Sequence, residues 1–185
     1  MIILSVSGSL RTVSSNTSLL EAARRLAPAG MAITPYVDLA QLPHFNPDLE
    51  DAMPPPAAAW RARVEAADGI LISCPEYARG IPGSFKNALD WLVGSTTFPG
   101  KPVALFNASP RASAAQDALR LVLTTMSAQL VDAAALTLPL LARGMDAAAI
   151  VSDPDLARQI TATLNAFAAA IRAQPASSPD ASSGV

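Results

Sequence analysis

Polar and basic side chains concentrate in the segment SGSLRTVSSN, residues 7–16. The segment holds Gly8, Arg11, Asn16 and several serines, and it separates a short apolar run from a helical pattern. The first N–H groups of a helix are unpaired and carry the positive end of the peptide dipoles, so they attract anions. Hydroxyl donors and a guanidinium would add to a phosphate cradle. Ordinary helix capping beside a solvated arginine explains the same spacing, so both interpretations stay open.

Two prolines and two glycines constrain the segment PEYARGIPG, residues 75–83. Pro75 and Pro82 fix their own φ angles, while Gly80 and Gly83 permit close approach or positive φ. A loop this stiff would present backbone amides to a flat heterocycle. The alternative is a constrained crossover turn with no ligand.

A third loop, ASPRASA at residues 108–114, contains small residues, Pro110 and Arg111. Alone it is a weak signal. If the three loops follow strands of one parallel sheet, however, they meet at the edge where ligands bind. Together they predict a mononucleotide site with a phosphate cradle, a rigid backbone platform and a wall of small residues.

The elements that must position these loops follow from hydrophobic periodicity. Continuous apolar runs predict strands at residues 2–6, 31–37, 69–74, 102–107 and 131–138. Amphipathic runs predict helices at residues 15–26, 57–67, 83–93 and 114–128, and a last helix from Asp153-Pro154 to about residue 173. The proline-rich stretch at residues 39–56 predicts a surface excursion without regular structure. This alternation predicts an α/β fold, a doubly wound parallel sheet with helices on both faces.

Composition narrows the class of protein. The 185 residues suit one domain, expected at residues 1–173, followed by a polar tail at residues 174–185 that we expect to be disordered. A formal net charge of -2 provides no basic field for a nucleic acid. Cys74 is the only cysteine, which excludes an intramolecular disulfide and a thiolate metal cluster. With no signal-peptide pattern and no long apolar run, we expect a cytoplasmic protein with no membrane partner.

Three segments together resemble a known family. They are GSLRTVSSN at residues 8–16, LPHFNPDLE at residues 42–50 and PEYARGIPGSFKNALDW at residues 75–91, and they resemble the NADPH-dependent FMN reductase family. This family includes quinone, azo-dye and chromate reductases. The resemblance spans about residues 2–172 and implies a flavodoxin-like fold with five parallel strands in the order 2-1-3-4-5. It also implies FMN at the switch point of the sheet.

Position by position, the resemblance implies two groups of cofactor-binding residues. The FMN phosphate would be held by Ser9, Arg11, Ser15, Asn16 and Thr17. The isoalloxazine ring would be lined by Pro75, Glu76, Tyr77, Ala78 and Arg79, with backbone groups up to Gly80 near its reactive edge and Ser109 beside it. Because the flavin carries the chemistry, no catalytic side chain and no metal is expected.

The chain departs from the family pattern at two places. Family members commonly carry asparagine after Pro-Glu-Tyr, whereas this chain has Ala78 followed by Arg79. The third loop is often glycine-rich in relatives, whereas Pro110, Arg111 and Ala112 make it bulkier here. We expect these departures to bear on flavin affinity and on the size of the acceptor.

The function implied by the resemblance is that of an FMN-dependent NAD(P)H oxidoreductase. A hydride would pass from NADPH or NADH to FMN, and on to a quinone, an azo compound, a metal oxyanion or free flavin, in a ping-pong cycle. The partners would be small molecules, and the protein a homodimer or homotetramer. A flavodoxin-type electron carrier and a flavin-binding relative without catalysis remain alternatives. A cysteine phosphatase is a third, but only four residues separate Cys74 from Arg79 where that loop has five.

Overall fold

A parallel sheet organises the part of the chain that the computed structural model describes, residues 1–140 and 143–174. Its strands are β1 (Ile2–Ser7), β2 (Ala32–Tyr36), β3 (Gly69–Ser73), β4 (Pro102–Asn107), β5 (Gln129–Leu130) and β6 (Leu136–Thr137). The order is β2-β1-β3-β4-β5, with β6 also paired to β4, and every pair is parallel. The predicted flavodoxin-like order 2-1-3-4-5 is therefore confirmed.

Helices cover both faces of the sheet, as the apolar strands require. They are α1 (Ser15–Arg25), α2 (Pro55–Glu65), α3 (Gly83–Asp90), α4 (Ser113–Thr125), α5 (Ala147–Ser152) and α6 (Pro154–Ala173). Side chains of α1, α5 and α6 pack with Ile3 and Leu71 on one face of the sheet. Side chains of α2, α3 and α4 pack with Leu4 and Ile70 on the other. Because each strand is buried on both sides, its residues do not alternate between apolar and polar.

The predicted continuous fifth strand at residues 131–138 is wrong. Only β6 lies within that range and pairs with the end of β4; β5 precedes the range and pairs with the start of β4, and a single 3-10 turn at Asp132–Ala134 joins the two short strands. The register pairs Val103 with Leu130 and Phe106 with Leu136, so only two residues of β4 face five residues of the partner segment. The additional residues of the partner segment must bulge out of the sheet. Because several of them are alanines, which have a weak preference for strands, the bulge costs little free energy.

The short helix α5 escaped sequence prediction. Its start is nevertheless marked by Asp146, whose side chain accepts a hydrogen bond of 2.8 Å from the Ala149 N–H. Asp153 caps α6 in the same way, as its sequence position predicted, by accepting from the Leu156 N–H at 3.2 Å. The two helices are separated by Asp153 alone, so one apolar pattern runs through both.

The excursion at residues 39–56 contains two single turns of 3-10 helix, Leu39–Gln41 and Pro47–Leu49. Helix α2 begins at Pro55, two residues before the predicted start, because proline is accepted at the first helical positions. Asn87 on α3 fixes the middle of the excursion: its Oδ1 accepts from the Phe45 N–H at 2.7 Å, and its Nδ2 donates to the Pro43 carbonyl at 2.9 Å.

The predicted disordered tail lies outside the described residues, except for Gln174. Its Nε2 donates a hydrogen bond of 3.1 Å to the Gly100 carbonyl. Within the described part of the chain, no helix is both long enough and apolar enough to cross a lipid bilayer.

Candidate functional site

A cleft of about 270 Å³ opens at the carboxyl ends of β1, β3 and β4. Its walls come from the three loops singled out in the sequence, at residues 9–16, 74–77 and 107–112. The predicted meeting of these loops at one edge of the sheet is thus present in the structure.

The first loop leads into α1 with unpaired donors. The Ser14 hydroxyl caps the helix by accepting from the Thr17 N–H at 3.4 Å. Among the described residues, no acceptor is provided for the N–H groups of Ser15 and Asn16. The exposed side chain of Arg11 lines the same cleft. The start of α1 therefore combines free backbone donors with a cation, which suits a phosphate group.

Close approach of the first and second loops depends on Gly8. Its N–H donates to the Ser73 carbonyl at 2.9 Å, and a Cβ at this position would lie 2.8 Å from the Cys74 sulfur. Gly8 does not have positive φ, so the contact with β3 rather than a tight turn requires glycine. Asn16 adds a second tie, because its Oδ1 accepts from the buried Ser73 hydroxyl at 2.8 Å.

The second loop ends in a two-residue turn. Tyr77 and Gly80 exchange two N–H···O=C bonds of 3.1 Å each, and the residues between them, Ala78 and Arg79, have φ angles of 49° and 61°. Positive φ at both central positions defines a type I′ turn, which asparagine and glycine favour. Of the two roles allowed for Gly80 and Gly83, close approach or positive φ, the second is absent, since the left-handed residues of this loop are the two that carry a Cβ.

Glu76 links the second loop to α4. Its Oε2 accepts a hydrogen bond of 3.1 Å from the Ala115 N–H, in the first turn of that helix. The residue at the N-cap position, Ala112, has no side-chain acceptor of its own. The Glu76 carboxylate therefore supplies both the missing cap and the negative charge that the helix dipole favours.

The third loop is held by Asn107, which sequence reasoning missed. Its buried Oδ1 accepts from the Ser109 N–H at 3.0 Å, and the Ser109 hydroxyl accepts from the Arg111 N–H at 3.3 Å. A polar residue closing the otherwise apolar run 102–107 was the available signal.

Most of the sequence-predicted site residues come together. The cleft is lined by Ser9, Arg11, Ser15, Asn16, Pro75, Glu76, Tyr77 and Ser109. Thr17 does not line it; its hydroxyl is 2.9 Å from that of Ser7 and faces a neighbouring cavity. Ala78, Arg79 and Gly80 lie outside the lining, in the type I′ turn. Cofactor binding by all twelve residues stays a prediction.

Cys74 lines the cleft as a buried thiol. Burial raises its pKa from 9.0 to about 12, so the thiol is protonated at neutral pH. A cysteine phosphatase needs a thiolate, and the environment of Cys74 disfavours one.

Comparison with known proteins tests the family resemblance noted in the sequence. The sequence profile described as NADPH-dependent FMN reductase matches residues 1–143. The chain belongs to this family. Membership confirms the resemblance noted in the sequence, and the description of the family names FMN and NADPH.

Two curated relatives that match more than half of this chain are named as reductases. The chain is 40% identical over 107 residues to a 2-hydroxy-1,4-benzoquinone reductase of Burkholderia sp, covering 56% of this chain and 58% of that protein. It is 38% identical over 110 residues to an NAD(P)H-dependent FMN reductase of Pseudomonas aeruginosa, covering 58% and 59%. Because the alignments span under two thirds of these relatives, the activity and substrates of this chain remain proposals.

Solved structures of flavoenzymes share the fold. The flavoenzyme NAD(P)H:(acceptor) oxidoreductase FerB of Paracoccus denitrificans superposes with a TM-score of 0.75 at 27% identity, covering 92% of this chain and 97% of that one. The apo form of an NADH:FMN oxidoreductase superposes with a TM-score of 0.66 at 21% identity, covering 94% and 91%, and this similarity supports the fold alone.

Proposed function

We propose that this FMN reductase family member binds FMN in the cleft and transfers reducing equivalents from NAD(P)H to a small-molecule acceptor, by a ping-pong mechanism. One observation carries the proposal: free donors at the start of α1, Arg11 and the rigid loop before residue 80 converge on a single cleft. Bound FMN would supply the chemistry, taking a hydride from the donor and passing it on.

The chain's own residues fit the FMN phosphate. The N–H groups of Ser15 and Asn16 lack partners within the described residues, and the Ser9 hydroxyl lines the cleft beside them. Arg11 contributes a guanidinium that forms no ion pair with another described residue, so a phosphate can engage it without displacing a carboxylate. Hydrogen bonds between a guanidinium and a phosphate are stronger than those between neutral groups, because both partners are charged.

The second loop fits a flat ring system. Pro75 fixes φ where the chain leaves β3, and the type I′ turn closes the loop with two backbone bonds. The Tyr77 side chain is 47% exposed and lines the cleft, so its ring is available for contact with a heterocycle. This loop would orient the ring, and no proton transfer by a side chain is needed.

The acceptor class is proposed as a quinone, with azo compounds, metal oxyanions and free flavin as further candidates. Support comes from the names of relatives, which include the benzoquinone reductase of Burkholderia and a quinone reductase of Escherichia coli that is 35% identical over 106 residues. We further propose a homodimer or homotetramer, as the family resemblance implies.

The test is to purify the protein and record its visible spectrum before and after FMN is added. A flavin spectrum that remains after desalting is expected, followed by NADPH oxidation that depends on an added quinone. A colourless protein that fails to retain FMN would overturn the proposal. Retention of FMN without quinone-dependent NADPH oxidation would instead support the electron-carrier alternative.

A further inference from the structure

A second cavity of about 450 Å³ lies beside the cleft, between α1 and the chain that follows β2. We propose that it binds the phosphorylated adenosine end of NADPH, a site separate from the flavin cleft. The inference rests on the proposed function, because it assigns the part of the electron donor that does not react.

The floor of this cavity offers hydroxyl groups. Ser5, in the middle of β1, is only 3% exposed and lines the cavity. No hydrogen bond among the described residues uses its side chain. Ser7 and Thr17 lie beside it with their hydroxyls 2.9 Å apart. The Ser5 hydroxyl is not sealed off within the core, so it is accessible to a polar ligand in this cavity.

Part of the lining is apolar. Leu20 and Leu39 line the cavity, and so does Tyr36, whose ring packs on Trp60 with the ring centroids 4.5 Å apart. Two further apolar side chains of the lining are exposed, Leu10 at 54% and Val37 at 77%. Apolar walls over a hydroxyl floor suit a purine nucleoside, whose base is flat and whose sugar is polar.

The rim carries an excess of positive charge. Arg11 and Arg24 both line the cavity. Glu21 also lines it, but its one carboxylate is shared between Arg24 at 2.7 Å and Arg25 at 2.8 Å. One negative charge between two guanidiniums leaves a net positive charge on α1, and this charge is independent of Arg11, which the FMN phosphate would engage. Glu21 already accepts from Nε and Nη2 of Arg24, so a phosphate monoester would bind through the guanidinium N–H groups that remain.

The two cavities share a wall. Ser9 and Arg11 line both, one cavity on each side of the first loop. In the sheet, β2 is separated from β3 only by β1, and neighbouring strands lie about 4.8 Å apart, so about 10 Å separates β2 from β3. A dinucleotide has two riboses and a pyrophosphate with which to cover that distance. Its nicotinamide can therefore reach the second loop while its adenosine occupies the second cavity.

The direct test is calorimetric titration of adenosine 2′,5′-bisphosphate into the FMN-loaded protein and into two variants. Arg24→Ala should weaken binding by about tenfold or more, the loss of one charge-assisted contact. Arg25→Ala is the matched control, because it removes a contact to the same Glu21 from the same helix without lining the cavity. Its affinity should stay within about threefold of the parent. No binding by the parent, or equal losses in both variants, would overturn the proposal.

A second variant separates the donor subsite from the flavin site. Ala40 is exposed and lines the cavity, so Ala40→Trp should fill it without disturbing the core. The KM for NADPH should rise about tenfold, while the KM for reduced nicotinamide mononucleotide, which lacks the adenosine, stays unchanged. Equal effects on both donors, or a change in oligomeric state by light scattering, would overturn the subsite.

The calorimetric test does not depend on turnover. FMN titration of the same samples reports the cleft alone and should be unaffected by Arg24→Ala, Arg25→Ala and Ala40→Trp. Should the protein bind FMN but show no reductase activity, the proposed function fails while the bisphosphate titration still decides whether the second cavity binds the nucleotide.

Discussion

Two turns with the same local pattern stand on either side of β3. Ser9-Leu10-Arg11 follows β1, and Ser109-Pro110-Arg111 follows β4. In both, the serine hydroxyl accepts a hydrogen bond of 3.3 Å from the arginine N–H, and both arginines line the cleft. The helices after the two turns nevertheless begin in different electrostatic surroundings.

Helix α1 is capped by a neutral hydroxyl, that of Ser14, whereas α4 receives the carboxylate of Glu76. The positive end of α1 is therefore available for an anion, and that of α4 is already compensated from the neighbouring loop. The same Ser-x-Arg turn can thus prepare a phosphate site in one place and a structural junction in another. Charge supplied by a distant part of the sequence makes the difference.

The largest effect should separate the two arginines. Arg11→Ala should weaken FMN binding by about 1.5–3 kcal/mol, roughly 10–100-fold, because a charged hydrogen bond to the phosphate is lost. Arg111→Ala should change the affinity by less than about threefold, because the helix after it is compensated by Glu76. Fluorescence titration of the apoprotein with FMN measures both. Equal losses in the two variants would show that the two turns are equivalent after all.

The next effect concerns the compensated helix. Glu76→Ala should lower the free energy of unfolding by about 0.5–2 kcal/mol, the usual value of an N-terminal cap, and Glu76→Gln by less because the amide keeps an acceptor. Urea denaturation measures the change. Glu65→Ala, at the exposed end of α2, is the control and should stay within about 0.5 kcal/mol. If Glu76→Ala leaves the free energy of unfolding unchanged, the carboxylate does not stabilise the start of α4.

A smaller effect should appear in the turn that holds Glu76 in place. Ala78→Gly should stabilise the protein by about 0.5–1 kcal/mol, because glycine adopts φ of 49° without Cβ strain. The same substitution at exposed Ala58, inside α2, should destabilise it by about 1 kcal/mol. The opposite signs, read by denaturant unfolding, are the diagnostic. A loss at both positions would mean that residue 78 is not strained.

The last prediction concerns Cys74, which lies between the two turns and is not part of either. Burial raises the pKa of this thiol to about 12, so the reactive thiolate is scarce in the folded protein at pH 7. Iodoacetamide should modify the folded protein at less than about a tenth of the rate seen in denaturant, as followed by mass spectrometry. Rapid modification of the folded protein would contradict the buried position and restore the cysteine-nucleophile alternative.

Sequence reasoning predicted the parts of this molecule that depend on local patterns. Apolar runs gave β1 and β4 nearly to the residue, and Asp153-Pro154 marked the start of α6. It failed where a residue distant in the sequence determines the local structure. The split opposite β4 follows from register, and the bond from Glu76 to α4 joins residues 39 positions apart.

The second loop shows another limit of sequence reasoning, the assignment of positive φ. Glycine is the residue expected at positive φ, so Gly80 and Gly83 were the natural candidates. The reciprocal bonds between Tyr77 and Gly80 instead place the two intervening residues there. The hydrogen bonds that close the turn therefore determine which residues have positive φ, against the preference of glycine for that region. The sequence alone does not indicate that Ala78 and Arg79 would adopt it.

The anchoring of the excursion after β2 bears on how the molecule opens. Asn87 holds Pro43 and Phe45 through both ends of its side-chain amide, and Trp91 Nε1 donates to the Pro43 carbonyl at 2.8 Å. A segment tied to a buried helix in this way opens only when that helix does. The loop should therefore belong to the same cooperative unit as α3, and its Phe45 amide should exchange with deuterium as slowly as the amides of that helix.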